Sequence, residues 1–286
     1  MVLATAAVYE PLVRLADCVD RVVSMSSLDC EPPADLRPDL AVNLHGRGPQ
    51  SHRLLMSMRP GRLVAFAHAD LGPADGPAWR SDEHEVERWC RLVAESLTVP
   101  VDAADLLLAR PALPSPVPGA VVVHPGAAHA ARRWPGERFA AVAAWATASG
   151  SKVVVTGSAQ ERDLAAMVAA GAGLPGDAVL AGQLTLAELA ALVASARLVI
   201  CGDTGVAHLA TAYRTRSVVL FGPTPPSLWG PPPDRRHTAL WRGAGSGDPW
   251  GEVVDPALLA IGSDDVVAAA ESLLDPVAPP SVSESG

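Results

Sequence analysis

The stretch RLVICGDTGVAHLATAYRTRSVVLF, residues 197–221, places a strand, a helix and a second strand in succession, and its reading decides the fold. Arg197 to Cys201 and Ser217 to Phe221 are nearly unbroken apolar runs, as strands covered on both faces require. Thr204 to Tyr213 reads as the helix between them, so the two strands run parallel. Upstream the rhythm repeats. Ala120 to His124 (AVVVH) and Lys152 to Thr156 (KVVVT) read as strands, and Ala178 to Ala181 as a shorter one. A helix is predicted from Glu137 to Ser149, entered through Pro135 and closed by Gly150, and another from Gln160 to Ala170. Thr185 and Glu188 form a T-x-x-E capping box that opens a helix ending near Ala196. The expected fold class is therefore α/β, with a parallel sheet buried between helices.

Further upstream, Arg110 to Gly119 (RPALPSPVPG) carries four prolines. Each lacks an N–H and restricts its predecessor, so no helix or inner strand crosses the segment, which reads as a linker. It divides a first domain, 1–114, from a second, 115–262. In the first, Leu40 to Leu44 and Arg62 to Phe66 read as strands and Gln50 to Met58 as a helix. Glu83 to Leu97 is a stronger helix, with Val86, Trp89, Leu92, Val93 and Leu97 on one stripe. After Phe221 the text turns irregular from Gly222 to Gly262. A last helix, Asp264 to Leu274, follows Ser263 as its expected N-cap, in a segment 263–275. The end, 276–286, is low-complexity and reads as a mobile tail.

Composition excludes several classes. Hydrophobic residues make up 49% of the 286, too many for a disordered chain. Lys and Arg number 22 against 31 Asp and Glu, a net charge of −9, opposite in sign to a binder that neutralises nucleic-acid phosphates. Four cysteines (Cys18, Cys30, Cys90, Cys201) form no C-x-x-C pair and are too sparse for a disulfide scaffold; buried thiols in a reducing cytoplasm are expected. No apolar run approaches the roughly 18 residues of a membrane helix. The apolar start, Met1 to Val8, lacks a basic leader and is interrupted by Glu10 and Pro11, unlike a signal peptide.

Ligands of open parallel sheets bind beyond the carboxyl ends of the strands, and three loops there stand out. In CGDTGVAH (201–208) a strand runs straight into a helix. The amides of Thr204, Gly205 and Val206 then point from a helix N-terminus, which favours an anion, and His208 adds a donor. The plain alternative is that Asp203 or Thr204 caps the helix and His208 is a core residue. In PGAAHAARRWP (125–135), Arg132 and Arg133 suit a diphosphate clamp or, equally, a solvated surface pair. The third loop, Gly222-Pro223-Thr224-Pro225-Pro226, suits a ligand rim or an ordinary stiff loop.

Other matches fail on context. Gly171 to Gly176 fits G-x-G-x-x-G, yet it follows a helix and holds Pro175 where a dinucleotide-binding helix would begin. Gly243 to Gly247 lies in irregular text before Pro249. The single Asp-Thr-Gly lies in α/β rhythm, whereas an aspartic protease needs two such carboxylates. There is no P-loop, and the histidines show no zinc spacing.

The second half resembles glycosyltransferase family 9, the heptosyltransferase-like enzymes, through HPGAAHAARRWPGERFAAVA (124–143), VVVTGSAQERDLA (153–165), LAGQLTLAELAALVASARLVICGDTGVAHLA (180–210) and VVLFGPTPPSLWGP (218–231). The first half is more weakly similar, through LAVNLHGRGPQS (40–51), RLVAF and HEVERWCRLV (84–93). The resemblance implies the GT-B architecture, with two Rossmann-like parallel-sheet domains facing across a cleft and the last helix returning to the first. It implies inverting, metal-independent transfer of a sugar, commonly an ADP-linked heptose, from a nucleotide-sugar donor to a glycan or small-molecule acceptor. No cofactor is implied.

Carried over, Arg132 lies near the donor diphosphate and sugar, Gln160 and Glu161 at the ribose, and Leu180 to Leu184 along the base. Asp203, Thr204, Gly205 and His208 surround the diphosphate and transferred sugar. Asp203, awkward beside an anion, is assigned to sugar orientation or charge stabilisation. Gly222 and Thr224 line the donor side, and His45 to Arg47 face the acceptor. A cytoplasmic monomer, touching membrane at most through its acceptor and binding no nucleic acid, is expected.

One departure matters. Family members begin with a strand, a G-x-G-D loop carrying the proposed catalytic base, and a helix. Met1 to Thr5 instead looks like the family's second strand, so the first domain is expected to be incomplete through a mis-assigned start or a truncation. The general base stays unassigned, with His45 a bare candidate. A nucleotide-sugar-binding protein that has lost catalysis, and a nucleotide-sugar epimerase, are the alternatives.

Overall fold

The computed structural model describes residues 1–69 and 76–274; the expected mobile tail 276–286 lies outside the described residues. Two compact units result: Met1–Leu106 with Ser227–Trp229, and Leu107–Pro226 with the chain from Gly230 onward. The division falls at Leu106, ahead of the 114 expected from the prolines. The start of the linker is tied to the second unit, where the Leu108 N–H donates to the Ala212 carbonyl (3.3 Å) and Arg110 to that of Ala194 (2.7 Å).

In the first unit, β1 (Val2–Thr5) and β2 (Arg21–Ser24) pair in parallel, Val2 opposite Arg21, with α1 (Glu10–Leu15) between them. A second parallel pair, β3 (Leu40–Val42) and β4 (Arg62–Val64), aligns Leu40 with Arg62 across α2 (Gln50–Ser57). The expected strands there are shorter than the apolar text suggested. α3 (Glu85–Leu97) closes the unit. Its stripe reaches Val64, Phe66 and Leu92, buried against Trp79, Trp89 and Leu97, with Phe66 and Trp79 edge to face at 5.0 Å.

The second unit is built on a five-stranded, all-parallel sheet: β5 (Val121–His124), β6 (Val153–Val155), β7 (Leu198–Gly202), β8 (Ser217–Leu220) and β9 (His237–Leu240), in the order β6-β5-β7-β8-β9. Its helices are α4 (Gly136–Ala148), α5 (Arg162–Gly171), α6 (Leu186–Ser195), α7 (Gly205–Ala212), the short α9 (Pro256–Leu259), and α10 (Ser263–Leu274), while the short α8 (Pro226–Trp229) is counted, from Ser227 on, with the first unit. The Thr185–Glu188 capping box opens α6 as expected, the Thr185 N–H donating to the Glu188 carboxylate at 2.8 Å.

Small residues let the helices sit close to the sheet. Ala140, Ala143 and Ala146 of α4 are buried with Val142, Phe139 and Trp134. Val266, Ala270 and Leu273 of α10 join the same core. Trp134 is its largest member; the indole N–H donates to the Ile261 carbonyl at 3.0 Å, and Phe139 meets the ring edge to face at 4.9 Å.

Four expectations are corrected. The strand at Ala178–Ala181 is a 3-10 turn, Gly176–Ala178, and one bridge from Val155 to Val179. The chain turns away at once through Gly182, whose φ of +69° and closeness to Ala159 admit no side chain. β9 lies in text read as irregular, because HTAL has no apolar run; pairing with the buried β8 and a 2.8 Å bond between Ser217 Oγ and His237 Nδ1 place it. Ser263 is the first residue of α10 and not the residue before it. Of the thiols, only Cys201 is buried, while Cys30 and Cys90 are half-buried and Cys18 is exposed; all four are free.

Candidate functional site

Strand order locates the site before any side chain is considered. From β5 the chain adds β6 on one side and then β7, β8 and β9 on the other, so the order reverses between β5 and β7. Ligands of open parallel sheets occupy the crevice at that reversal, beyond the carboxyl ends. Two of the three singled-out loops flank it, 125–135 after β5 and 203–204 after β7, and the register pairs His124 with Cys201 and Gly202 with Leu220.

There the structure brings Arg132, Asp203, Thr204, Gly205 and His208 together. The Arg132 guanidinium donates to the Asp203 backbone carbonyl and lies 3.2 Å from its carboxylate. Thr204, in extended conformation, occupies the N-cap of α7, yet its side chain caps nothing. Thr204 is thereby removed as the capping side chain. His208 is exposed and so is no core residue; Gly205 is exposed, with open space where a Cβ would stand. Two buried polar atoms here have no hydrogen-bond partner among the described residues: Arg132 Nε and Thr204 Oγ1. Such orphans are rare in native proteins and call for an explanation.

Burial dominates the Asp203 carboxyl and pushes it above the ordinary carboxylate range, opposed by the nearby Arg132 and His208. A group whose pKa is raised on folding holds more protons when folded, so its contribution falls as pH climbs from the unfolded value of about 4 through the folded one. Asp203→Asn removes that dependence. The melting temperature of the variant, minus that of the wild type, is expected to grow as pH rises from 4 to 8. A difference that grows on acidification would instead show the Arg132 pair outweighing desolvation.

Of Gln160, Glu161 and Leu180, the structure sets Glu161 against loop 125–135, at Gly126. Gln160 is exposed, and Leu180, half-buried, donates its N–H to the Val155 carbonyl at 2.8 Å. The Glu161 carboxylate accepts from the Ser158 N–H at 2.7 Å and fills the space over Gly126, where a Cβ would lie 2.2 Å from it. Behind it, burial holds His124 below the ordinary imidazole range despite the Glu161 charge, and its Nδ1 meets Thr156 Oγ1 at 2.9 Å. Gly222 is a packing glycine, its would-be Cβ 3.2 Å from Leu258 and 3.5 Å from the Ala131 carbonyl, and Thr224 is half-buried beside it. His45 and Arg47 belong to the first unit, where both are exposed.

Sequence reading missed the parts that hold these loops in place. The irregular segment after β9 is stitched to them: Gly247 N–H to the Pro223 carbonyl (2.7 Å), Ala131 N–H to Gly251 (3.0 Å) and Asp255 N–H to Ala131 (3.2 Å). This sets exposed Trp250 edge to face on His129 at 4.7 Å, an aromatic rim on loop 125–135. In the first unit, Asn43 was overlooked. Its amide bonds Ser51 Oγ and His52 Nδ1, both at 3.0 Å, and its carbonyl accepts from the His45 N–H, fixing the loop that bears His45. Among the described residues no group of three or more His, Cys, Asp or Glu is placed to hold a metal, and no helix is long and apolar enough to cross a membrane.

The profile of glycosyltransferase family 9 (heptosyltransferase) matches residues 76–246, more than half of the chain. The chain belongs to glycosyltransferase family 9. This family 9 chain is 37% identical over 159 residues to lipopolysaccharide heptosyltransferase 1 of Pseudomonas aeruginosa, covering 54% of the chain and 43% of that protein. It is also 37% identical over 113 residues to lipopolysaccharide heptosyltransferase 3 of Escherichia coli, covering 39% and 33%. The alignments thus span less than half the length of these curated relatives. The fold matches E. coli ADP-heptose lipopolysaccharide heptosyltransferase II, with a TM-score of 0.74 at 19% identity, covering 96% of the chain and 88% of that structure. The family 9 glycosyltransferase of Veillonella parvula gives 0.75 at 19% identity, covering 96% and 87%. The fold class is α/β, GT-B, as the sequence resemblance implied.

Proposed function

We propose that the chain transfers a sugar from a nucleotide diphosphate donor, an ADP-linked heptose foremost, to a glycan or natural-product acceptor, with inversion and without a divalent metal. One observation carries this reading. At the reversal of strand order, two buried donors, Arg132 Nε and Thr204 Oγ1, lack partners among the described residues, beside a helix start that the Thr204 side chain does not cap. Amides at such a start, backed by the helix dipole, suit the pyrophosphate of a sugar nucleotide.

Bond cleavage at the anomeric carbon leaves negative charge on the departing diphosphate. Arg132, His208 and the first amides of α7 are the groups to stabilise it, in the place a cation would otherwise take. Asp203, held by Arg132, is assigned to the sugar, where its carboxylate offsets the positive charge that develops on the ring. Gln160, Glu161 and Leu180 are assigned to the nucleoside. His45 and Arg47 remain the acceptor-side candidates, and the general base remains unassigned. The reaction is placed in the cytoplasm, in line with four unpaired thiols, and the chain is taken as a monomer.

A panel of ADP, GDP, UDP and dTDP sugars, read by mass spectrometry with and without acceptor glycans, tests the reading. Acceptor-dependent sugar transfer is expected. Donor conversion without acceptor would make the chain an epimerase, and binding without turnover a catalytically silent binder. His208→Ala is expected to weaken diphosphate-bearing ligands by about 1.5–3 kcal/mol while sparing the bare nucleoside, as loss of a bond to a charged group implies. Calorimetry that finds equal losses for both would remove His208 from the diphosphate.

A further inference from the structure

Opposite the candidate site, at the amino ends of the strands, lies a hollow of about 230 Å3. Arg197, Arg216 and Arg236 line it from the residues just before β7, β8 and β9, joined by Arg110, Arg214 and Tyr213. Five guanidiniums around one hollow are unexpected on a chain of net charge −9. Two have partners: Arg236 pairs with Asp234 at 2.7 Å, and Arg110 donates to the Ala194 carbonyl. Arg197, Arg214 and Arg216 have no ion pair among the described residues.

The plain role for these arginines is to neutralise the carboxyl ends of α6 and α7, which point the same way. Each helix end carries about half a negative charge, so both ends together with Asp234 leave roughly three positive charges unopposed. An independent observation also points to a ligand. Tyr213 is only 7% exposed, lines the hollow, and its hydroxyl is one of four buried side-chain polar atoms without a partner among the described residues. Arg214 moreover holds a left-handed backbone, φ 53°, directly after the helix, where glycine would be the relaxed choice.

We propose that this arginine-lined hollow is a second anion site, for a compact phosphate-bearing ligand that the Tyr213 hydroxyl helps to hold. The volume lies below the roughly 300–1,000 Å3 of sites that enclose drug-sized molecules, so a pyrophosphate or small sugar phosphate fits the hollow and a whole sugar nucleotide does not. Planar guanidinium forks suit phosphate oxygens, and the phenol adds a neutral donor of fixed direction.

Calorimetric titration with inorganic pyrophosphate tests this, carried out in an Arg132→Ala background so that the first site contributes little. Binding is expected to persist there and to weaken as salt rises. It is expected to fall at least tenfold when Arg197→Ala and Arg216→Ala are added, and several-fold on Tyr213→Phe. Because Tyr213→Phe removes an unsatisfied hydroxyl, it is expected to leave the melting temperature of the free protein unchanged or raised. That variant decides the matter if the double arginine change prevents folding. Absence of binding in the Arg132→Ala background, or binding indifferent to Tyr213→Phe and to the arginine changes, would overturn the proposal and leave the arginines as helix-end neutralisers.

Discussion

Arg132→Ala is expected to weaken sugar-nucleotide binding by about 1.5–3 kcal/mol, roughly tenfold to more than a hundredfold, as loss of a charge-assisted contact implies. Sequence alone would add that stability barely changes. The structure revises that part, because Arg132 also neutralises the buried carboxylate of Asp203. Removing one partner of a fully buried pair costs about 3–5 kcal/mol, and the half-buried Arg132 side chain scales that down to about 1–3. The two roles separate in the double variant. Arg132→Ala with Asp203→Asn has no stranded charge, so stability is expected to return while affinity stays low. Affinity that recovered together with stability would make Arg132 a structural partner of Asp203 and nothing more.

Trp134→Ala carries the largest expected effect on stability, about 3–5 kcal/mol, read as a lowered urea midpoint. The indole is 2% exposed and joins α4 to the segment before α10 through Phe139 and the Ile261 carbonyl. Most of the loss is expected from packing, because the Ile261 carbonyl keeps a second donor, Arg138, at 2.6 Å. Against a typical total of 5–15 kcal/mol, such a loss leaves the second unit barely folded. Trp134→Phe is expected to recover part of it. A shift below about 1 kcal/mol for the alanine variant would mean that the core closes over the gap.

The strand–helix alternation of the second unit was legible because its inner strands are buried on both faces, and VVV or LVI runs leave no other reading. β9 and the bridge at Val179 were not legible, since each depends on a neighbouring strand and not on its own text. The loops of the candidate site could be picked out by their position between strand and helix. Their meaning could not: Thr204 has a residue type that would normally cap α7 and does not, and that Arg132 spends one face on Asp203 is a fact of tertiary approach between residues 71 apart. Trp250 and Asn43 escaped notice for the same reason. Trp250 sits in irregular text and Asn43 at the end of an apolar run read as a strand, and the role of each follows only from contacts that the sequence does not display.

The most direct measurement is a crystal structure of the chain with an intact nucleotide diphosphate sugar. The pyrophosphate is expected within hydrogen-bond distance of the Thr204–Val206 amides, with Arg132 Nε and Thr204 Oγ1 both engaged and the sugar over Asp203. A pyrophosphate bound away from the start of α7, with those two atoms still unpartnered, would contradict the proposed site.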